Sequence, residues 1–245
     1  MYPYLITTNN VTIVADSILT MVSTHPDYPS VLAHIKAGNW DEAIALMSPR
    51  KAVESWVEGN IAIGQDDTLY YKGKVLSNAV VPVILKMRSE GFDVQPLVRF
   101  LDRLMANPSM RSRDQLWKFV EANSITVTPE GMILLYKKVK DDYYDCHTGK
   151  THKYEVGTSH SMDRSLVDDD PTKTCSAGLH ACSLAYLSHF SGDRTLLVEV
   201  DPQDVVSVPV DHQHTKVRVR ALKVVREITT PVVMRTVEDE DSIPF

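Results

Sequence analysis

The sequence predicts an α+β fold: a helical N-terminal and middle region, then a β-rich C-terminal domain, then a disordered acidic tail. Three observations predict it. Apolar residues recur at helical spacing up to about residue 124, two-residue alternation takes over from Ile125 to Ile228, and the closing residues Glu238 to Asp241 are consecutive carboxylates with no face to pack. The expected divisions are residues 1–75 (a helical pair and a hairpin), 76–124 (three helices), 125–230 (the β-rich domain) and 231–245 (the tail).

A short extended start precedes the first helix. Pro29 opens that helix, Val31, Leu32 and Ile35 share one face, and Gly38-Asn39 ends it. Trp40 to Met47 makes a second helix with Ala43, Ile44 and Met47 inward, stopped before Pro49. Ala62 to Val75 alternates around polar turns at Gln65-Asp66-Asp67 and Lys72-Gly73, the pattern of a small hairpin. Asn78 caps a helix running to Glu90, with Pro82 in its first turn and Gly91 beyond its end. Pro96 opens the next, with Leu97, Phe100, Leu101, Leu104 and Met105 on one face and Asn107-Pro108 closing it. Ser112 with Gln115 is read as a capping box for a helix that buries Leu116, Phe119 and Val120.

After Ser124 the pattern becomes that of strands. Ile125–Val127 and Met132–Val139 flank a Thr128-Pro129-Glu130-Gly131 turn. Lys140 to Thr174 is a long polar stretch, either a functional loop or strands hidden in polar sequence. Leu196–Val200, Val205–Val208 and Lys216–Ile228 complete the strands, the last with a change of phase near Leu222.

Composition limits the function classes. A chain of 245 residues that is 43% hydrophobic suits a globular protein of one or two domains. No apolar run approaches bilayer length and the N-terminus lacks a signal-peptide pattern, so the chain is expected to stay in the cytosol where it is made. Three cysteines, Cys146, Cys175 and Cys182, do not make a disulfide framework. The formal net charge of −6 argues against a protein that coats nucleic acid.

Several motifs in order resemble the bacteriophage rIIB-like proteins. They are Asn107-Pro108-Ser109, Thr128-Pro129-Glu130-Gly131, Tyr136-Lys137-Lys138-Val139, Thr174-Cys175-Ser176-Ala177-Gly178-Leu179-His180, Asp204-Val205-Val206-Ser207-Val208-Pro209 and Lys216-Val217-Arg218-Val219. The resemblance covers about Pro26 to Val225. It implies a phage protein made in a bacterial host and tied to overcoming host exclusion and to lysis timing. It also implies a place near the host membrane; because nothing in the sequence inserts into lipid, the chain is expected in the host cytoplasm, with any membrane association indirect, through a companion phage protein. It carries over no catalytic residue set.

A second resemblance is independent of the first. Glu238-Asp239-Glu240-Asp241-Ser242-Ile243-Pro244-Phe245 looks like the C-terminal peptide of bacterial single-stranded-DNA-binding protein. Its charges repel and Pro244 stops any helix, so it is expected to stand free in solvent. In a partner groove Phe245 would anchor by ring and carboxylate, Pro244 and Ile243 would shape and fill the hook, and Asp241, Glu240, Asp239 and Glu238 would steer approach.

The remaining candidate chemistry is sparse. Cys175, His180 and Cys182 could gather a zinc ion with Cys146, His147 or His189, but their spacing matches no standard module. A Cys175–His180 nucleophilic couple is poorly aimed on one short segment. The bland account makes Gly178 a turn, Leu179 and Cys182 core plugs, and His180 a partner for buried backbone groups. Asp168-Asp169-Asp170 reads as a solvated turn rather than a cation site, and Asp211, His212 and His214 likewise. Lys216, Arg218 and Arg220 fall on one side of a strand, as a ridge for phosphates or as a charged sheet edge; without interleaved aromatics, direct nucleic-acid binding is not favoured. No Walker A loop, dinucleotide-binding glycine triplet, His-Glu-x-x-His or Gly-x-Ser-x-Gly is present.

The sequence is therefore read as a non-enzymatic phage accessory protein, without a cofactor. Its expected partners are proteins that recognise the end of single-stranded-DNA-binding protein. One alternative is an enzyme or nucleotide-sequestering protein that uses the Cys175–Cys182 loop with the basic strand. Another is a membrane-proximal scaffold paired with a companion phage protein.

Overall fold

The computed structural model describes residues 2–48, 61–63, 69–71, 74–75, 83, 86–87, 90, 92–147 and 149–229. The chain divides into two compact units, Met1–Val98 and Arg99–Phe245.

In the N-terminal unit, β1 (Tyr4–Ile6), β2 (Asn10–Val14) and β3 (Ile18–Val22) form an antiparallel meander. The sequence suggested only a short extended start here. The strands are 3 to 5 residues long and the turns between them are as short, too little for alternation to register. Val11, Ile13 and Met21 are buried, and they join Val31 and Ile35 of α1 (Tyr28–Ala37) and Ala43, Ile44 and Met47 of α2 (Trp40–Met47) in one core cluster. Pro29 lies in the first turn of α1, and Gly38 closes it with φ of 77°, a conformation that costs glycine little. β4 (Ile61–Ile63), β5 (Leu69–Tyr71) and β6 (Lys74–Val75) make a second antiparallel sheet, one strand more than the hairpin that alternation suggests. The turns at 65–67 and 72–73, and most of the helix expected from Asn78 to Glu90, lie outside the described residues.

Helix α3 (Gln95–Ala106) contains the division between the units, and α4 (Met110–Ala122) follows in the C-terminal unit. Phe100, Leu101 and Leu104 are buried at the expected spacing, as are Leu116, Phe119 and Val120. The capping box expected from Ser112 and Gln115 does not form. Ser109 is the N-cap, its side chain accepting from Ser112 N at 3.2 Å. Ser112 Oγ instead donates to Val206 O at 2.6 Å, and Gln115 Oε1 accepts from Val208 N at 3.0 Å. Both side chains thus tie α4 to the backbone of β11 and the residue after it, and the buried Val206 carbonyl is satisfied from the helix.

The C-terminal unit is built on seven strands in the order β11-β12-β9-β7-β10-β13-β8, every pair antiparallel. They are β7 (Ile133–Val139), β8 (Ser159–Ser161), β9 (Leu179–Cys182), β10 (Arg194–Val200), β11 (Val205–Ser207), β12 (Lys216–Val219) and β13 (Ala221–Ile228). β7 is central, and its alternate residues Ile133, Leu135, Lys137 and Val139 are all buried. The turn before it needs Gly131: φ is 80°, and a Cβ there would lie 2.4 Å from backbone atoms of Arg99 and Phe100. Arg99 and Arg103 of α3 seal the same turn by donating to Pro129 O and Glu130 O.

The polar stretch from Lys140 to Thr174 is neither one loop nor one strand. It carries a Tyr144–Lys153 bridge, edge strand β8 and a 3₁₀ turn at Arg164–Leu166 capped by Asp163. The change of phase foreseen near Leu222 is a break at Arg220, between β12 and β13. Among the described residues no helix is long and apolar enough to cross a membrane.

Candidate functional site

A cavity of the C-terminal unit lies where β9 and β12 meet the loops around them, and measures about 280 Å³. Its walls are the Asp145–His147 turn, the loop 174–178, His180, Lys216, and the segment from Tyr186 to Ser191. β9 runs antiparallel to β12 in a register that sets His180 beside Arg218 and Cys182 beside Lys216. Directly paired residues share a side of the sheet, so local pairing alone clusters these groups.

Ion pairs hold the cavity's charged walls. Lys137, fully buried, donates from Nζ to Asp145 Oδ2 at 2.7 Å and to His180 O at 3.3 Å. Its ammonium also lies 4.4 Å from the Tyr154 ring centroid, a cation–π contact in a desolvated place. Burial opposes ionisation of Asp145, but Lys137 and the His147 N–H outweigh it and hold the carboxyl below its usual range. Lys216 Nζ stands 2.7 Å from Asp211 Oδ2 and donates to Thr174 O at 2.9 Å.

His180 is different. Burial, then the nearby Lys137 and Arg218 cations, push its imidazole down to about 4, so the ring is neutral at pH 7. No hydrogen bond engages that ring among the described residues, and its nitrogens are not sealed from solvent. Tyr186 supplies an aromatic wall, with Phe190 and His189 each 5.9 Å away between centroids and His212 at 5.0 Å.

The residues singled out in the sequence fall differently. Cys182 is buried and its thiol is pushed up to about 12, which keeps it protonated and inert, while Cys175 is exposed on the loop. Among the described residues no group of three His, Cys, Asp or Glu side chains is placed to hold a metal. Leu179 and Cys182 are core, as the bland account required, and Gly178 has φ of 142° where a Cβ would meet Val167; the His180 ring, expected to partner buried backbone groups, makes no such hydrogen bond among the described residues.

The basic residues are not an open ridge. Lys216 and Arg218 are buried, and each cation faces a carboxylate: Asp211 for Lys216, Asp168 at 4.0 Å for Arg218, and Asp204 at 2.6 Å for Arg220. Arg218 Nη2 also donates to Asp170 O and Lys173 O, so the loop from Asp168 is fastened over β12. Phosphate contact by Arg218 would require that loop to lift. Within the acidic trio each carboxylate has its own partner. Lys173 and Ser176 donate to Asp168 and hold it well below the usual carboxylate range, Thr172 donates to Asp170, and Arg111 pairs with Asp169. Asp211 and His212 do reach the cavity's surroundings, through Lys216 and Tyr186.

Sequence reasoning missed Lys137, Asp145, Tyr186 and Phe190. A signal existed for the first: Lys137 occupies the apolar phase of β7, between Leu135 and Val139, where a cation needs a buried partner. The others had none, because Asp145 and the Tyr186–Phe190 segment lie in turns whose positions only the folded sheet defines.

Comparison with known proteins decides the family. A family model described as "Bacteriophage T4 protein rIIB" matches residues 3–237. The chain belongs to the rIIB family. Protein rIIB of Enterobacteria phage T4 is 35% identical over 209 residues, 84% of this chain and 66% of that protein. The chain therefore spans slightly less than two thirds of that rIIB relative. No solved structure matches. The rIIB match ends one residue before Glu238, so the acidic Ile-Pro-Phe segment lies beyond it. That segment also lies outside the described residues.

Proposed function

We propose that this rIIB-family chain is a phage accessory protein of host takeover and anti-exclusion that acts by binding, and that its acidic Ile-Pro-Phe segment docks on host or phage replication, repair or defence proteins. The observation that carries it is the run from Glu238 to Phe245, whose charge pattern and apolar hook match what receptors of single-stranded-DNA-binding protein recognise. Phe245 anchors, Pro244 and Ile243 fill the hook, and Asp241, Glu240, Asp239 and Glu238 steer. So short a contact binds in roughly the micromolar range and weakens with salt.

The test is a binding isotherm of the full chain against a purified exonuclease or helicase that binds the end of single-stranded-DNA-binding protein. Removing Ile243, Pro244 and Phe245 abolishes binding on this reading; unchanged binding by the shortened chain overturns it.

One observation favours a second reading. The cavity beside His180 joins an aromatic wall to hydrogen-bonding groups in a concave place, the arrangement of a small-molecule site. It supports the alternative in which the C-terminal unit sequesters a small ligand. Equilibrium dialysis of the full chain against candidate small molecules tests this, and retention of none of them counts against it.

A further inference from the structure

The chemistry of that cavity limits what it can take. Its full charges are already balanced inside the protein, Asp145 by Lys137 and Lys216 by Asp211. An ionic head group would have to break one of these pairs to be held there, and breaking a buried pair is costly. Its size, about 280 Å³, is near the lower limit for small-molecule sites. Tyr186 has the Phe190 and His189 rings each within 6 Å of its own, offering faces and edges. A flat guest gains most from such a wall, because offset stacking and edge contacts both need a π-face.

The unspent hydrogen-bonding groups complete the picture. The His180 imidazole has no protein partner among the described residues, and a neutral imidazole offers one donor and one acceptor. The hydroxyls of Thr174 and Ser191, which line the same cavity, are also unengaged there and can each give or take a hydrogen bond.

We propose that this cavity binds a planar, uncharged nitrogen heterocycle with mixed donors and acceptors, of the kind a nucleobase presents, stacked on one ring of the Tyr186–Phe190 pair, met at its edge by the other, and read by His180. Any phosphate attached to it stays outside. The proposal rests on the small-ligand reading above and adds the class of ligand.

Saturation-transfer NMR on the full chain tests it, with adenosine, cytidine and uridine as probes and ribose 5-phosphate and inorganic pyrophosphate as comparators, each at low and high salt. The nucleosides receive transfer and titrate with affinities that change less than about twofold with salt, since no net charge is involved. Phe190→Ala and the surface variant His189→Ala each weaken binding, the first by about tenfold or more. His189→Ala leaves the melting temperature unchanged, so its effect is not unfolding. Binding of pyrophosphate or ribose 5-phosphate alone, with strong salt dependence, overturns the ligand class while leaving a small-ligand site. Binding of no probe overturns both. Nucleoside binding unaffected by either variant places the site elsewhere and overturns the proposal as well.

Discussion

Lys137 and Asp145 form an ion pair 2.7 Å long between the central strand of the seven-stranded sheet and the turn that walls the cavity. The lysine side chain is wholly buried and the aspartate nearly so. Such a pair adds little net stability over an apolar substitute, yet losing one partner strands a charge. Asp145→Asn should therefore destabilise the C-terminal unit by about 3–5 kcal/mol in urea denaturation. The double variant Lys137→Met with Asp145→Leu should cost clearly less than that single change.

His180 makes stability depend on pH. Its folded value of about 4 lies below the ordinary 6.5, so between those values the unfolded chain takes up a proton that the folded chain refuses. Its contribution is intact above about pH 6.5 and is lost as pH falls toward 4. The loss should be about 2–3 kcal/mol, discounted for the ring's partial exposure. His180→Gln should flatten that part of the stability profile. Asp145, held low, acts further down, losing its contribution only as pH falls through its own depressed value.

Gly131 and Gly149 both have positive φ, 80° and 65°, but only Gly131 is crowded. Gly149→Ala should cost about 1 kcal/mol from backbone strain alone. Gly131→Ala adds a Cβ that meets backbone rather than a yielding side chain, and should cost about 3 kcal/mol or more. Thermal melts of the two variants compare these directly.

Arg218 fastens the 168–177 loop by two carbonyl contacts, both from Nη2. Arg218→Lys keeps the charge, but its shorter side chain draws the donor back from both carbonyls. It should destabilise by about 2–3 kcal/mol and speed protease cleavage within that loop.

Much of the fold was legible because its elements declare themselves locally. α1 and α2 follow from Pro29, Gly38 and the spacing of Val31, Ile35, Ala43, Ile44 and Met47. β7 and the turn before it follow from alternation and Gly131. What stayed hidden depends on tertiary pairing. β9 is four residues long, yet it lies inside the sheet between β12 and β7. Ser112 and Gln115 have the spacing of a capping box, but Ser109 takes the cap and frees both for β11 and the residues after it. The basic side of β12 was visible as a pattern; its burial was not, because Asp168, Asp204 and Asp211 reach it from separate turns. The cavity was half legible, His180 from its motif and Lys137 only in hindsight from its phase.

On the function proposed, the acidic Ile-Pro-Phe segment is grasped by receptors of single-stranded-DNA-binding protein. The most direct measurement is a competition titration, in which the full chain is added to such a receptor carrying a fluorescent copy of the C-terminal peptide of single-stranded-DNA-binding protein. Displacement at roughly micromolar concentration, weakened by salt and lost with Phe245→Ala, is the predicted result. No displacement, or displacement that survives Phe245→Ala, contradicts it.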